Sequence, residues 1–229
     1  MDTAERVRIL AEHVASLIPS GQIIGLGTGS TADAVLNALG RRKQSDPTFT
    51  MTGVATSIAT ADLARSHGFA IRDLGEVDHI DLGYDGADEI DPNLNLVKGR
   101  GGALLYEKLV AELCTDYWIV STDEKLVAHL GTRLPLPIEV IPYGWQHTRD
   151  KVAALGLVPT LRMTANGPYR TDAGNHILDC TPEPNVDLLK IAPAIKLITG
   201  VVEHGIFQNL THRAILVDNE GSTRTICRN

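Results

Sequence analysis

Apolar positions along this chain fall into two alternating rhythms. From Ala4 to Ile18, the residues Val7, Leu10, Ala11, Val14, Leu17 and Ile18 recur at helical spacing, and Pro19, Ser20 and Gly21 then break the pattern. Short apolar runs follow at Ile23–Leu26, Phe49–Ala55, His79–Tyr84 and Tyr117–Val120, separated by helical patterns at Thr31–Leu39, Ser57–His67 and Leu104–Cys114. Strand-length runs alternating with helix-length stripes predict an α/β fold, a Rossmann-like, mostly parallel sheet flanked by helices.

Past Gly131 the texture changes, and Pro135, Pro137, Pro142, Pro159, Pro168, Pro182, Pro184 and Pro193 punctuate shorter segments. Pro137–Pro142, Val158–Met163, His176–Cys180 and Thr199–Val202 read as strands, with helices at Trp145–Leu155 and Asp187–Leu197. That order predicts an inserted, smaller α+β (ferredoxin-like) domain with two helices on one face of its sheet. We expect it to span residues 131–204, within an α/β catalytic domain built from residues 1–130 and 205–229. Ala214–Val217 would return to the main sheet as a strand, ahead of a turn at Asn219–Gly221.

With 229 residues, 43% of them hydrophobic, the chain can bury a full core. Its 21 Lys and Arg against 28 Asp and Glu give a net charge of −7, which repels a nucleic acid backbone, so any phosphate must be held locally. The three cysteines, Cys114, Cys180 and Cys227, are widely spaced and form no C-x-x-C pair, which points to a reducing cytoplasm and away from a disulfide framework or a zinc site. The N-terminus mixes charges, and no run of about 18 apolar residues occurs, so neither secretion nor membrane insertion is expected.

The candidate chemistry sits directly after the predicted strands, where ligand crevices of open α/β sheets lie. Gly25-Leu-Gly-Thr-Gly-Ser-Thr31 offers a tight turn, the N–H groups of a helix start and the hydroxyls of Thr28, Ser30 and Thr31 to an anion; the alternative is a plain turn capped by Ser30 or Thr31. It lacks the P-loop ending, misses G-x-G-x-x-G at Ser30, and no acid ends the second strand, so a dinucleotide site is not indicated.

Asp85-Gly86-Ala87-Asp88 brings two carboxylates three residues apart, suited to sugar hydroxyls, although Asp88 or Asp91 could equally cap a turn. Its spacing does not follow a Ca²⁺ loop. Lys98-Gly99-Arg100-Gly101-Gly102 joins a cation to flexible backbone that can surround a developing oxyanion. On the following helix a buried arc of Leu105, Tyr106, Leu109, Val110 and Leu113 is expected, with Glu107 at its margin, partly desolvated and so a better base near neutral pH, and Lys108 facing elsewhere. Lys125, in Ser121-Thr-Asp-Glu-Lys125, could neutralise a ligand phosphate or a carboxylate. The histidines His129, His147, His176 and His204 show no metal-ligand spacing.

Taken in order, GLGTGST, DGADEID, KGRGGALLYEK, STDEK, PLPIEVIP, TDAGNHILD and VVEHGIF resemble the type A ribose-5-phosphate isomerase family over nearly the whole chain. The resemblance implies that Glu107 is the general base that moves a proton through an enediolate. It also implies that Thr28, Gly29, Ser30, Thr31, Asp85, Gly86, Ala87, Asp88, Lys98, Gly99, Arg100, Gly101 and Lys125 bind a pentose 5-phosphate, without a cofactor or metal, in a homodimer or homotetramer of the pentose phosphate pathway. Lys98 with the glycine amides would stabilise the oxyanion, and Asp85 or Asp88 would open the sugar ring. The family's Lys in the first helix is Val7 here, which leaves Arg6 or Arg8 to take its place. Two rivals with comparable settings are a sugar-phosphate sensor domain, which only binds, and a CoA transferase, whose Glu is a nucleophile.

Overall fold

The computed structural model describes residues 1–228, which cluster into two compact units. The first comprises Met1–Ala87, Tyr106–Lys125 and the chain from Asn209 onward. Its strands are β1 (Gln22–Leu26), β2 (Met51–Ala55), β3 (Ala70–Ile71), β4 (Ile80–Asp85), β7 (Cys114–Thr122), β15 (Arg213–Val217) and β16 (Thr223–Cys227). They form one sheet in the order β16-β15-β7-β4-β1-β2-β3, parallel except for β16 on β15. The chain runs outward from β1 through β2 to β3 and then returns to lay β4 on the other side of β1. The carboxyl ends of β1 and β4 therefore flank a topological switch point.

Helices α1 (Thr3–Leu17), α2 (Ser30–Ser45) and α3 (Ile58–Ser66) belong to this unit. Asp2 starts α1 by accepting the Glu5 N–H at 2.8 Å, and Ser57 starts α3 by accepting that of Thr60 at 3.1 Å, so each satisfies a helix N–H that has no partner within the helix. Leu10, Val14, Val35 and Leu39 of α1 and α2 share one core with Ile24, Leu26, Leu82, Val120 and Ile215 of the sheet. Such burial contributes on the order of 25 cal/mol per Å² of apolar surface removed from water.

The second unit holds Asp88–Leu105 and Leu126–Gln208. Strands β8 (Leu136–Val140), β9 (Leu157–Leu161), β12 (His176–Pro182) and β13 (Val201–His204) lie antiparallel in the order β13-β8-β12-β9. Helix α5 (Trp145–Ala153) follows β8, and α6 (Leu188–Lys196) follows β12. This is the expected ferredoxin-like β-α-β-β-α-β arrangement. Its core gathers Leu136, Ile138, Val140, Val152, Leu178, Leu188 and Ile195. A hairpin of β10 (Met163–Thr164) and β11 (Gly167–Pro168) extends beyond β9. A small antiparallel sheet joins β14 (Ile206–Phe207), β6 (Leu96–Val97) and β5 (Glu89–Ile90). Pairing with β14 is why Asp88–Leu105, which the apolar rhythm groups with the larger domain, clusters here. Within it, Asp91 accepts from Asn93 N and Asn95 N, both at 2.8 Å, and serves a turn.

Helix α4 (Leu104–Leu113) leads into β7 and departs from the expected arc. Its buried residues are Leu104, Glu107, Lys108, Val110 and Ala111, whereas Leu109 is 42% exposed. Leu109 faces outward and Leu105 and Leu113 are half-buried, while Glu107 and Lys108 join Val110 of the expected arc on the buried side.

Candidate active site

Within the first unit, glycines set how closely the elements approach. A Cβ on Gly25 of β1 would lie 2.7 Å from Val110 Cγ1, and one on Gly83 of β4 would lie 2.4 Å from Cys114 Sγ, so α4 and the start of β7 rest directly on these two strands. Glu107 precedes Val110 by three residues on the same helix face, about 4.5 Å along the axis. Strands β1 and β4 end one and two residues beyond these glycines, at Leu26 and Asp85. There Gly27 packs so tightly on Asp85 that a Cβ would meet the carboxylate carbon at 2.4 Å and Asp85 Cα at 2.6 Å.

Glu107 is 3% exposed and Asp85 1%, deeper than the margin that the apolar pattern assigns to Glu107. Both act on one phenol. Tyr117 of β7 donates its O–H to Asp85 Oδ2 at 3.4 Å and is pushed well above its ordinary pKa, first by burial, then by the charges of Asp85 and Glu107. Asp85 Oδ1 also accepts the Gly86 N–H at 2.7 Å. A third carboxylate, Asp33 in the first turn of α2, is not evident from sequence. Its pKa is raised by burial and then by Asp85, which strand order alone brings near it.

The glycine turn after β1 ends at Gly29, the N-cap of α2, with φ +108° and no side chain to cap the helix. The helix starts at Ser30, so Ser30 and Thr31 lie in its first turn, Ser30 exposed and Thr31 half-buried. Their N–H groups belong to a helix start that a side chain does not cap, the arrangement that favours an anion. Thr28 has another duty. Its hydroxyl donates to Ser57 Oγ at 2.9 Å and lies 2.7 Å from Thr56 Oγ1 and 3.1 Å from Thr60 Oγ1, tying the turn to the start of α3.

Lys125 is half-buried in the 3-10 turn Asp123–Lys125 that follows β7. Its neighbour Glu124 accepts Arg6 Nη2 at 2.6 Å, and Arg6 Nη1 reaches Asn219 Oδ1 at 2.6 Å beyond β15. Arg6 is 4% exposed and braces the Lys125 turn, whereas Arg8 is exposed and pairs with Glu5 at 2.7 Å.

The second unit assembles the remaining residues. Asp88 accepts the Arg100 N–H at 3.0 Å and donates its own N–H to Val97 O at 2.9 Å. Lys98 is 3% exposed, donates its N–H to Gly205 O at 2.8 Å, and holds Nζ 5.5 Å from the Phe207 ring centre. Gly99 and Gly102, with φ +105° and +85°, turn the loop, which the Gly102 N–H closes on Gly99 O at 3.0 Å. Arg100 and Gly101 are exposed at its tip. Asp88, Arg100, Leu134, Pro135, Pro137, Arg162 and Asp179 line a cavity of about 380 Å³. Among the described residues, no group of three or more His, Cys, Asp or Glu side chains is placed to hold a metal ion.

The family model for ribose 5-phosphate isomerase A (phosphoriboisomerase A) matches residues 52–221. The chain belongs to the ribose 5-phosphate isomerase A family. Ribose-5-phosphate isomerase A of Synechococcus sp. (strain JA-3-3Ab) is 46% identical over 213 residues, covering 92% of this chain and 92% of its own. That of Thermomicrobium roseum is 44% identical over 223 residues, covering 96% and 93%. Two solved structures superpose over nearly the full length: a D-ribose-5-phosphate isomerase in complex with phospho-erythronic acid (TM-score 0.94, 36% identity, 100% of both chains) and the Plasmodium falciparum ribose 5-phosphate isomerase (TM-score 0.91, 35% identity, 98% of this chain and 99% of that one). As a ribose 5-phosphate isomerase A, the chain interconverts ribose 5-phosphate and ribulose 5-phosphate, a reaction of the pentose phosphate pathway. The sensor and CoA-transferase readings are set aside on that match. No helix among the described residues is long and apolar enough to cross a membrane.

Proposed function

We propose that Glu107 is the base of this isomerisation. Its carboxylate removes the C2 proton of the open-chain aldose, the C–H electrons form the C1–C2 double bond of an enediolate, and negative charge collects on O1. Return of the proton to C1, with transfer of the O2 proton to O1, yields the ketose. Lys98 and the amides of Gly99 and Gly101 offset the oxyanion charge, while the Arg100 amide is held by Asp88. Asp85 or Asp88 exchanges protons with the ring oxygen and the C1 hydroxyl during ring opening. The phosphate is assigned to the start of α2, at Gly29, Ser30 and Thr31, with Thr28 holding that turn in place. Lys125 adds charge, and Arg6, not Arg8, is the first-helix cation that supports it.

The observation that carries this reading is the burial of Glu107 beside the Tyr117 phenol, which Asp85 and Glu107 both perturb. Replacing Glu107 by Gln keeps the volume and removes the base. A general base contributes roughly 10² to 10⁴-fold, so turnover should fall at least that far while KM for ribose 5-phosphate stays near the wild-type value. Wild-type turnover by Glu107→Gln would remove this residue from the mechanism.

We also propose a homodimer or homotetramer acting in the cytoplasm. Tyr143 and Leu197, 91% and 85% exposed on the second unit, support a self-contact, and the three free cysteines support a reducing compartment. Sedimentation of the purified protein tests the first point.

A further inference from the structure

Arg162, which follows β9, has a side chain only 15% exposed. Its guanidinium forks onto Asp179 of β12, with Nε donating to Oδ2 at 2.9 Å and Nη2 to Oδ1 at 2.5 Å. The third nitrogen, Nη1, donates to the carbonyl of Gly99 at 3.2 Å and to that of Arg100 at 3.0 Å. Tyr169 donates its O–H to the next carbonyl, that of Gly101, at 3.4 Å, and the guanidinium carbon sits 5.6 Å from the Tyr169 ring centre. Two side chains thus hold three consecutive carbonyls of the glycine loop.

In a trans peptide the C=O and the following N–H point in opposite directions. Holding Gly99 C=O turns the Arg100 N–H away from Arg162, and that N–H indeed reaches Asp88 Oδ2 at 3.0 Å. Holding Arg100 C=O turns the Gly101 N–H away in the same manner, at the exposed tip of the loop. Gly99 and Gly102 give the loop little stiffness of its own. Its peptide planes are therefore set from outside.

We propose that Arg162, locked by Asp179, is a positioning residue of the isomerase: it fixes the peptide planes of Gly99–Gly101 so that the Gly101 amide is aimed at the developing oxyanion. The inference rests on the assignment of Lys98–Gly101 to oxyanion stabilisation. Arg162 touches no reacting atom; it acts through the carbonyls behind the amides. A lysine cannot replace it, because one ammonium cannot grip a carboxylate bidentately and also serve two carbonyls in fixed directions.

The test compares Arg162→Lys with the wild-type full chain in four readouts: kcat and KM for ribose 5-phosphate, inhibition by phospho-erythronic acid, and inhibition by inorganic phosphate. The acid carries a carboxylate, one negative charge shared by two oxygens, and so imitates the charge of the enediolate, whereas phosphate reports only on the anion site. A misplacement of about 1 Å costs on the order of 10²-fold, so kcat should fall about 10- to 100-fold with KM within about threefold. Phospho-erythronic acid should weaken by a factor similar to the loss in kcat, and phosphate should be unaffected. Asp179→Asn, which retains volume and one acceptor, supplies the same comparison should Arg162→Lys fail to fold. Wild-type kcat in a folded variant overturns the inference, as does a loss confined to KM and phosphate binding. Glu107→Gln assayed alongside separates the two readings. An inactive Glu107→Gln beside a fully active Arg162→Lys defeats only the role of Arg162, while an active Glu107→Gln defeats the base assignment itself.

Discussion

Gly27→Ala should damage this enzyme by displacing Asp85. The backbone conformation is not the obstacle, since Gly27 is not among the positive-φ glycines. Space is: the added Cβ would lie 2.4 Å from the Asp85 carboxylate carbon and 2.6 Å from Asp85 Cα, where ordinary contact begins at 3.4 Å. Because one of the obstructing atoms is backbone, rotation of a side chain cannot relieve the clash, and the ends of β1 and β4 must part by about 1 Å. Overpacking of that kind costs about 1–3 kcal/mol of stability. The same displacement at reacting groups costs on the order of 10²-fold in rate.

Two nearby glycines serve as controls. At Gly86 an added methyl would meet no protein atom within 4 Å and the φ is ordinary, so Gly86→Ala should lose little stability. Gly29 also has open space but φ +108°, so Gly29→Ala should show backbone strain without the Asp85 clash. The assay is ribulose 5-phosphate formation in a coupled reaction, together with urea unfolding of each variant. Wild-type kcat and unfolding midpoint in Gly27→Ala would refute the claim that contact with Gly27 places Asp85. So would equal losses of stability in Gly27→Ala and Gly86→Ala.

Asp33 and the cysteines give further tests. Burial, then the charge of Asp85, raises the Asp33 pKa in the native state above the unfolded value, so the native state retains a proton that the unfolded chain has lost, and stability declines as pH rises through that interval. Asp33→Asn should therefore raise the unfolding midpoint at pH 7, with the gain vanishing below about pH 3.9, where the unfolded carboxyl is also neutral; a gain of equal size at both pH values would contradict this origin. Burial, then Asp85 and Asp116, pushes the Cys114 thiol up to about 12, burial also raises Cys180, and Cys227 is exposed. Brief alkylation of the native protein at about pH 7.5, roughly one unit below the pKa of an ordinary thiol, should give a single adduct at Cys227 by mass spectrometry, and labelling of Cys114 would mean that α4 opens readily from the sheet.

Elements that bury a continuous apolar run are legible in the sequence: β1, β2, β4 and β7 each lie within a few residues of their apolar runs, as do the helices and strands of the inserted unit. The two-residue strands β5, β6 and β14 are not, because each is too short to carry a local period and β14 meets β6 only across more than a hundred residues of chain. Strand β16 escapes for a related reason: its Thr-Arg-Thr-Ile-Cys is half solvent-facing and looks like a polar tail. The face of α4 differs from expectation because hydrophobicity places leucines inside, whereas this helix buries Glu107 and Lys108 and leaves Leu109 outside. The glycine turns and Glu107 are visible as motifs. Asp33, Tyr117 and Arg162 are not, since their importance comes from neighbours that only the folded sheet supplies.

The sheet order also governs synthesis. Strand β7 accepts β15 as its neighbour, and the Tyr117 N–H is bonded to His212, 95 residues further along. As the chain emerges from the ribosome, β7 waits with a bare edge while the whole inserted unit is translated. An unpaired parallel edge of that kind invites pairing with other nascent chains. Production of this protein should accordingly be sensitive to any pause or truncation ahead of Arg213, even where the inserted unit has already matured.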